Sequence, residues 1–461
     1  MQGGRDVNDG VRWHRVYVAA LIFGVVVRVL AAVLTTNSQD LALFGLIVQQ
    51  GGQGHSLYSD PGFTYPPLAG YALLAFGKLL AAAGAPVIVH AAALQPYRLP
   101  GLAGADLTTP IASLLIKTPA MLGDVAAAWA IDAFCRRCGV ADVRRRAAVL
   151  AWWLNPIVLF DSAVQASWDS IVPAAIVASG LAALDRKPFV SGAWLAIGAL
   201  CKLVPALCVP LVATTVFFRE RDARARARAV LAFVFGGVLM ALLALGPLAA
   251  RGEFSTFVHD TILTRSGGAA FGGFNVWSAL QITSLRALNV WVQDHGPALA
   301  FGLLLFEALA IAGVSVVLAR SPQIDAGRWS LGALVTVCVV LLAAPYAQPG
   351  YAVWLIPFCL LEWARGSRAW GAAALALSVC SFAFAFVVRA PAALIIPACW
   401  FYRLCDPVAM QQATYFYGYA TGTFTPLVQL DRDVAFGLAA AIIVIAIAVL
   451  GARGLVGARR A

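Results

Sequence analysis

Long apolar runs separated by short clusters of arginine are the feature that most constrains this chain. One cluster of five arginines lies at 136–146, and a second cluster of five lies at 219–228. The apolar runs beside them are long enough to cross a bilayer, which takes about 20 residues in a helix. With 61% hydrophobic and only 12% charged residues among 461, the chain has too few polar side chains to cover a soluble fold. The sequence therefore predicts an all-α, polytopic membrane protein.

The arginine clusters also predict the orientation. Short cytoplasmic loops of membrane proteins are enriched in Lys and Arg, so we place both clusters and both termini in the cytoplasm. The net charge of +11 is explained by these loops, and we expect no nucleic-acid partner. Because the first apolar run is long enough to span the bilayer, we expect it to act as an anchor and not as a cleaved signal peptide.

Alternation between the two sides predicts about twelve spans in one integral membrane domain, 1–461. The run at 65–83 is not counted, because counting it would turn the arginines at 136–146 to the outside; it is interpreted as a helix at the outer interface. The run 189–218 is basic at both ends but too short for two full crossings at about 1.5 Å per residue. We therefore predict two short spans that meet near Lys202. The predicted spans are about 13–36, 112–134, 147–165, 170–184, two within 189–218, 226–248, 296–319, 329–346, 350–364, 369–388 and 433–452.

Three longer segments are predicted to lie outside: 37–111 with interfacial helices, 249–295, and 389–432. Ionisable residues outside the cytoplasmic loops gather on this outer side. A carboxylate at the mouth of a cavity suits a general base for a hydroxyl group, and Lys or Arg suits a phosphate leaving group. We therefore expect a reaction site at the outer face. The gathered residues are Asp40, His55, Asp60, Asp161, Asp169, Lys202, His259, Asp260 and Arg265.

Several short motifs occur in an order that resembles a known family. They are Asp40 after the first span, Leu57-Tyr58, Tyr65-Pro-Pro-Leu68, Lys117-Thr-Pro-Ala-Met-Leu-Gly-Asp124, Leu154-Asn-Pro156, Trp168-Asp169, Lys202 and Phe274-Asn-Val-Trp277. In this order they resemble membrane glycosyltransferases of the GT-C superfamily, in particular the bacterial polyprenyl-phosphate-sugar mannosyltransferase type. The likeness covers most of 15–360. One departure is Gln165-Ala-Ser-Trp168-Asp169, where such proteins often read Trp-Gly-Gln-x-Asp.

The resemblance implies an inverting transfer of mannose or a similar sugar from a polyprenyl-phosphate donor to a glycan or glycolipid acceptor, at the outer face of the cell (inner) membrane. It implies that the acid of the first external loop, Asp40 here, is the catalytic base. We assign five residues to the donor phosphate and five to the acceptor or the cavity. The donor set is Lys202, Arg265, His259, Gln348 and Tyr351, and the acceptor set is His55, Tyr58, Asp60, Gln165 and Asp169.

Each assignment has a structural alternative. Asp40 is also placed to cap the interfacial helix that follows it. Lys202 also fits a lysine that snorkels from a helix end, and Arg265 fits a solvated charge. The other donor residues fit ordinary interface roles, and His55 and Asp60 fit a loop turn. For the whole chain, the alternatives are a transporter of a lipid-linked or anionic solute, although no internal repeat is visible, and a non-catalytic assembly subunit.

Two charged residues, Arg28 and Asp124, fall inside predicted spans. An unpaired charge there is expensive. Counting about 1.5 Å per residue from the outer ends places Arg28 about 12 Å deep and Asp124 about 18 Å deep, within reach of a long arginine side chain. We predict a structural ion pair and not a proton relay. No compact cluster of metal ligands is apparent, so no metal and no other cofactor is expected.

Overall fold

The structure is a computed structural model that describes residues 3–35, 39–58, 63, 65–90, 106–263, 272–273, 275–281, 285–321, 323–400 and 426–457. Helices make up most of these residues, which confirms the all-α class. They are α1 (Gly3–Leu34), α2 (Gln39–Gly52), α3 (Pro67–Ala82), α4 (Pro110–Arg137), α5 (Asp142–Trp153), α6 (Pro156–Leu159), α7 (Ile171–Leu184), α8 (Pro188–Cys201), α9 (Val204–Leu207), α10 (Val209–Phe218), α11 (Ala223–Ala250), α12 (Phe254–Phe257), α13 (Arg286–Asp294), α14 (Gly296–Ala319), α15 (Ala326–Ala343), α16 (Ile356–Ala364), α17 (Arg368–Trp400) and α18 (Pro426–Gly457).

Short elements join these helices. There are π-helical turns at Phe160–Val164 and Val258–Leu263, and 3₁₀ turns at Val276–Gln281 and Pro349–Trp354. Strands β1 (Ile88–His90) and β2 (Asp106–Thr108) pair in antiparallel fashion, and β3 (Gly272–Gly273) pairs in parallel with β4 (Tyr346–Ala347). The second pairing brings the segment after α12 beside the end of α15.

Within the described residues, seven helices are long and apolar enough to cross a bilayer. They become eight if α5 and the stretch Pro156–Val164, which meet at a 44° bend, count as one broken span. Pro156 is the first residue of the second part, where its missing N–H costs no helical hydrogen bond. The chain is therefore a multi-pass membrane protein. The seven stretches are Trp13–Leu34, Pro110–Arg137, Ala223–Ala250, Gly296–Ala319, Ala326–Ala343, Arg368–Ala385 and Val434–Gly457.

The run 189–218 is broken at the predicted place. Helix α8 ends at Cys201, and Lys202 has extended backbone angles, φ −154° and ψ 130°. The chain then makes the single turn α9, which contains Pro205, before α10. Because proline cannot donate to the preceding turn, Pro205 opposes a continuous helix through this point. The predicted break near Lys202 is confirmed, and the helices on either side of it have 14 and 10 residues. That each of them crosses the membrane stays a prediction.

Helix α7 forms the centre of the bundle. Every residue from Val172 to Leu184 is buried. The helix packs against α4, α8 and α10, and the ring of Trp329 on α15 lies where a Cβ on Gly180 would sit. Close approach at a glycine is a common way for membrane helices to pack, because no hydrophobic effect drives them together in lipid. The core of the protein is therefore a short helix that other helices enclose.

The predicted external segments are described only in part. Segment 37–111 contains α2, α3 and the β1–β2 pair, and segment 249–295 contains α12, two of the short turns and α13. Helix occupies both ends of 389–432, because α17 continues to Trp400 and α18 begins at Pro426. Residues 91–105 and 401–425 lie outside the described part of the chain.

The predicted ion pair between Arg28 and Asp124 is confirmed. The Nε of Arg28 donates to Oδ2 of Asp124 at 2.7 Å, and both side chains are buried. The hydroxyls of Ser162 and Ser170 also donate to this carboxylate, at 2.6 and 2.5 Å. Arg28 further donates to the carbonyl of Trp153 at 2.9 Å and lies 3.8 Å above its ring. The pair therefore ties α1, α4 and α5 together.

Candidate functional site

A buried group of polar and aromatic side chains lies where three interruptions of the helices meet. The interruptions are the turn at 165–170, the extended residue at 202 and the 3₁₀ turn at Pro349–Trp354. Broken helices are tolerated at membrane depth where they are enclosed by protein. We call this group the polar cluster. Its members are Asp161, Ser167, Asp169, Lys202, Tyr351 and Trp354.

Asp169 is the centre of the polar cluster. Its carboxylate forms an ion pair with the ammonium of Lys202, and the same oxygen, Oδ1, accepts a hydrogen bond from Nε1 of Trp354 at 2.5 Å. The other oxygen accepts from the hydroxyl of Ser167 at 2.5 Å. Asp169 is 1% exposed. A buried ion pair is stable only when further hydrogen bonds satisfy its charges, and these donors meet that requirement.

Two aromatic rings cover the ammonium of Lys202. Its Nζ lies 4.6 Å from the ring centroid of Tyr351 and 5.2 Å from that of Trp354. The two rings are stacked, with centroids 4.2 Å apart. An ammonium has three donor hydrogens, and Asp169 takes only one of them. Cation–π attraction therefore adds to the ion pair in fixing Lys202.

A second carboxylate, Asp161, lies beside the first. It is 1% exposed, and a Cβ on Gly350 would overlap its Oδ1 and lie 3.3 Å from Oδ2 of Asp169. The sequence analysis did not assign Asp161 a role, although an acid in an apolar run is a functional candidate on that ground alone.

The turn that carries Ser167 and Asp169 has an unusual backbone. Ala166 has φ +63°, a left-handed conformation that is uncommon for a residue with a Cβ. The amide of Ser167 donates to the carbonyl of Asp161 at 2.9 Å, and the amide of Gln165 donates to the carbonyl of Phe160 at 3.0 Å. Strain of this kind is concentrated at functional sites. Gln165, a predicted cavity residue, lies buried in the same turn.

The segments that contain other predicted residues pack beside the polar cluster. Helix α2, which contains Asp40, shares an apolar core with Tyr58 and Phe257, and this core includes Trp168 and Cys201, the residues just before Asp169 and Lys202. The backbone of Asp40 lies in α2, and its side chain is outside the described part of the structure. Asp60 and Arg265 are outside it altogether. Helix α2 and the segment with Tyr58 therefore lie next to the residues that precede Asp169 and Lys202.

Tyr58 is fixed by contacts within this apolar core. Its hydroxyl donates to the carbonyl of Tyr65 at 2.7 Å, and its ring lies 5.6 Å from that of Phe257. Burial raises the pKa of the Tyr58 hydroxyl well above its usual value, against the opposing effect of a hydrogen bond with Thr261. Tyr58 therefore stays protonated at neutral pH and joins the loop after α2 to the segment after α12.

Lys117 holds the end of α1, from which the chain continues to Asp40. Its Nζ donates to the carbonyl and the hydroxyl of Thr35 at 2.6 and 2.7 Å, and to the carbonyl of Ala32 at 3.2 Å. The side chain is fully buried. The last carbonyls of a helix lack partners within the helix, and the amino group of Lys117 supplies donors for them. Sequence analysis quoted Lys117 only as part of a motif.

The remaining predicted residues differ in the exposure of their side chains. His259 is exposed, and its Nδ1 lies 2.8 Å from Oδ1 of Asp260. His55 is exposed. Gln348 is half-buried. Its backbone carbonyl accepts a hydrogen bond at 3.0 Å from the backbone amide of Tyr351, a member of the polar cluster. Among the described residues, no group of three His, Cys, Asp or Glu side chains is arranged to hold a metal ion.

The loop segment after α12 reaches the polar cluster through its backbone. The β3–β4 pair places Gly272–Gly273 beside Tyr346–Ala347, just before Gln348. The amide nitrogen of the Asn275 side chain donates to the carbonyl of Ala344 at 2.7 Å, which fixes the same approach.

Comparisons with protein-family models and with curated proteins found no match. A functional assignment therefore depends on the residues and geometry of this chain.

Proposed function

We propose that this protein is an inverting glycosyltransferase of the GT-C type. It transfers mannose or a similar sugar from a polyprenyl-phosphate donor to a glycan or glycolipid acceptor at the outer face of the cell membrane. The observation that carries the proposal is the packing of α2, which contains Asp40, against the residues that flank Asp169 and Lys202. The helix that contains this acid then packs beside a buried cluster that contains a lysine.

In the proposed reaction, Asp40 takes the proton of an acceptor hydroxyl while its oxygen attacks the anomeric carbon of the sugar. The bond from that carbon to the phosphate oxygen breaks, and polyprenyl phosphate leaves with the electron pair. Arg265 and the two remaining donor hydrogens of Lys202 bind the phosphate, whose charge increases as the bond breaks. A carboxylate in the position of Asp40 suits this proton transfer.

Asp169 has a positioning role in this proposal. Its two oxygens already accept hydrogen bonds from Lys202, Trp354 and Ser167, and its side chain is 1% exposed. A general base must be within hydrogen-bond reach of the substrate hydroxyl. Asp169 instead fixes the direction of Lys202.

The proposed topology keeps about twelve spans, with both termini in the cytoplasm. It counts the bent pair of α5 and Pro156–Val164 as one span. It also counts as spans four stretches that are shorter than a full crossing: α7, α8, α10, and α16 with the 3₁₀ turn before it. Helix α3 remains an interfacial helix outside the membrane.

A transporter is the second candidate, and one observation favours it. Glu307 on α14 is buried in an apolar span, and its Oε1 has no hydrogen-bond partner among the described residues. Acids at such positions occur in the proton and ion pathways of transporters. The charges of the polar cluster, however, lie near the end of α1, where the outer surface is predicted.

One experiment separates the two candidates. Purified protein in proteoliposomes is incubated with a radiolabelled polyprenyl-phosphate mannose and a glycolipid acceptor. A transferase gives a labelled acceptor and free polyprenyl phosphate. Movement of intact donor across the bilayer without a labelled acceptor would reject the transferase. The protein with Asp294→Asn, an exposed acid at the end of α13, serves as a matched control for variants of the site.

A further inference from the structure

A groove of about 430 Å³ lies between α5, α16 and α17 and reaches Asn155 and Pro156 at the break between α5 and α6. Its walls are apolar along most of their length. They are formed by Leu150, Leu154, Leu360, Trp363, Leu375 and Val379, together with small residues of α17. Leu375 and Val379 are also exposed at the surface, 66% and 55%, so the groove opens sideways toward the surrounding lipid.

The two ends of the groove differ in charge. Arg368, the first residue of α17, lines one end, is exposed, and forms no ion pair with any described residue. A Cβ on Gly366 would lie 3.2 Å from a guanidinium nitrogen of Arg144, so a second arginine is close to this mouth. Arg365 is already paired with Glu362 at 2.8 Å. The mouth therefore has positive charge that the described residues do not neutralise.

At the end of the groove opposite Arg368, the polar side chains that the structure describes are bonded within the protein. The amide of Asn155 donates to the hydroxyl of Ser378 at 2.8 Å, and this hydroxyl donates to the carbonyl of Ala374 at 2.6 Å. Both partners are satisfied, so the occupant of this end gains nothing from a polar atom there. The groove suits a molecule with an apolar tail and one anionic end.

The length of the groove matches one leaflet. From Arg368 to Val379, α17 rises about 16 Å, and the hydrocarbon core of a bilayer is about 30 Å thick. Helix α5 begins, α16 ends and α17 begins at the same basic end. That end is cytoplasmic on the proposed topology, and the cytoplasmic leaflet is the one rich in anionic lipids.

We propose that this groove is a binding site for an anionic glycerophospholipid of the inner leaflet. One acyl chain lies along α17 as far as Ser378, and the head-group phosphate contacts Arg368. The proposal does not depend on the glycosyl-transfer reaction. It makes the lipid a structural ligand that joins α5, α16 and α17 on the side opposite the outer site.

Two pairs of variants test the site. Ala372→Phe fills the groove, whereas Ala376→Phe places the same ring one turn along α17 at an exposed position outside the groove. Arg368→Gln removes the charge at the mouth, whereas Arg224→Gln removes an exposed arginine of the second cytoplasmic cluster. Arg368 is on the surface, so its variant tests the head group without disturbing the core.

The measurement is native mass spectrometry of the delipidated full chain with phosphatidylglycerol or phosphatidylcholine of identical acyl chains. We expect phosphatidylglycerol to bind the wild type at least about tenfold more tightly, the ratio that one charge-assisted hydrogen bond supports. Arg368→Gln should lose this preference, Ala372→Phe should lose both lipids, and the two controls should match the wild type.

Three results would overturn the proposal. They are equal binding of the two lipids by the wild type, unchanged binding by Ala372→Phe, and preferential retention of polyprenyl phosphate over phosphatidylglycerol. The last result would identify the groove as a site for the donor or product lipid. Failure of the transferase assay leaves all three measurements unaffected, so the two proposals are tested separately.

Discussion

Arg28 and Asp124 are 96 residues apart in the chain, and in the folded protein their side chains form an ion pair 2.7 Å long that is closed off from solvent. The carboxylate also accepts from two serines, and the guanidinium stacks on Trp153. The pair therefore holds α1 against α4 and α5 by contacts whose charges compensate each other. This compensation makes the loss of either partner more costly than the loss of both.

Replacing Arg28 with Met should destabilise the protein strongly. The Asp124 carboxylate would remain buried without a counter-charge, which costs about 3–5 kcal/mol in known buried pairs. The double variant Arg28→Met, Asp124→Asn should recover part of this loss. Thermal unfolding in detergent measures both effects. As a control, Arg137→Gln breaks an exposed ion pair with Asp185, and such a pair contributes about 1 kcal/mol or less. An equal loss of stability in Arg28→Met and Arg137→Gln would contradict the prediction.

Replacing Lys117 with Met should affect both stability and transfer. The variant keeps the length of the side chain and removes three donated hydrogen bonds at the end of α1, at a cost of about 1–3 kcal/mol. Because the chain continues from there to Asp40, the rate of sugar transfer should fall even at a temperature where the variant is fully folded. Unfolding alone would not explain such a loss. Lys78→Met, at an exposed lysine of α3, is the control. If both variants retain the same activity, Lys117 does not position the base.

Gly350→Ala should displace the carboxylate of Asp161. The added methyl group would overlap Oδ1 of Asp161, and both residues are buried, so the polar cluster must rearrange. We expect transfer to fall by at least about tenfold, because a shift of about 1 Å in a catalytic site can cost 100-fold. Gly302→Ala on α14 adds the same methyl group in open space and should leave transfer unchanged. Parallel activity assays make the comparison.

Asp40→Asn tests the catalytic base. The structure places Asp40 in the first turn of α2 and not at a cap before Leu41. Asn keeps the size of the side chain and loses only the interaction of a charge with the helix N-terminus, about 0.3–1 kcal/mol, so expression, thermal stability and donor binding should remain close to wild type. Transfer should fall by about 100-fold or more, since a positioned general base contributes about 10²–10⁴. Asp294→Asn provides the baseline. Should Asp40→Asn keep more than about a tenth of wild-type activity, the base lies elsewhere.

Cysteine labelling tests the topology. The segment before α4 and the segment after it lie at opposite ends of a 28-residue helix about 42 Å long. Single cysteines at 85–87 and at 141–146 should therefore react with a membrane-impermeant maleimide from opposite sides. Burial raises the pKa of the native Cys138 thiol to about 11, so its background reaction at pH 7 should be slow. Labelling of both engineered sites from one side would reject the twelve-span topology.

Two features of the architecture could be predicted from the sequence, because each follows from a local constraint. The constraints are the free-energy cost of burying a charge and the length of helix needed to cross the membrane. The cost of burying charge required a partner for Arg28, and Asp124 was within reach. The basic flanks and short length of 189–218 required a break near Lys202. The number of spans does not follow from helix length, because helices such as α7 and α10 are apolar but shorter than a full crossing of the membrane.

The inner arrangement of the site could not be predicted in this way. The sequence predicts separate contacts with acceptor and donor for Asp169 and Lys202, whereas the two residues contact each other. Nothing in the local sequence marks Trp354, which donates to Asp169 from 185 positions along the chain. The left-handed backbone of Ala166 is equally invisible, because alanine shows no preference for it. These features depend on tertiary packing, which local pattern does not encode.

The complete burial of α7 has a consequence for how the protein adapts to different membranes. A helix of 14 residues is about 21 Å long, shorter than a hydrocarbon core of about 30 Å. Since α7 is enclosed by protein along its length, hydrophobic mismatch with the lipid does not act on it. The mismatch acts instead on outer helices such as α14. This helix is 24 residues long, and only 22% of its most apolar stretch is buried within the protein. In a thinner bilayer these outer helices tilt around a centre of constant length, and the site that α7 supports keeps its geometry.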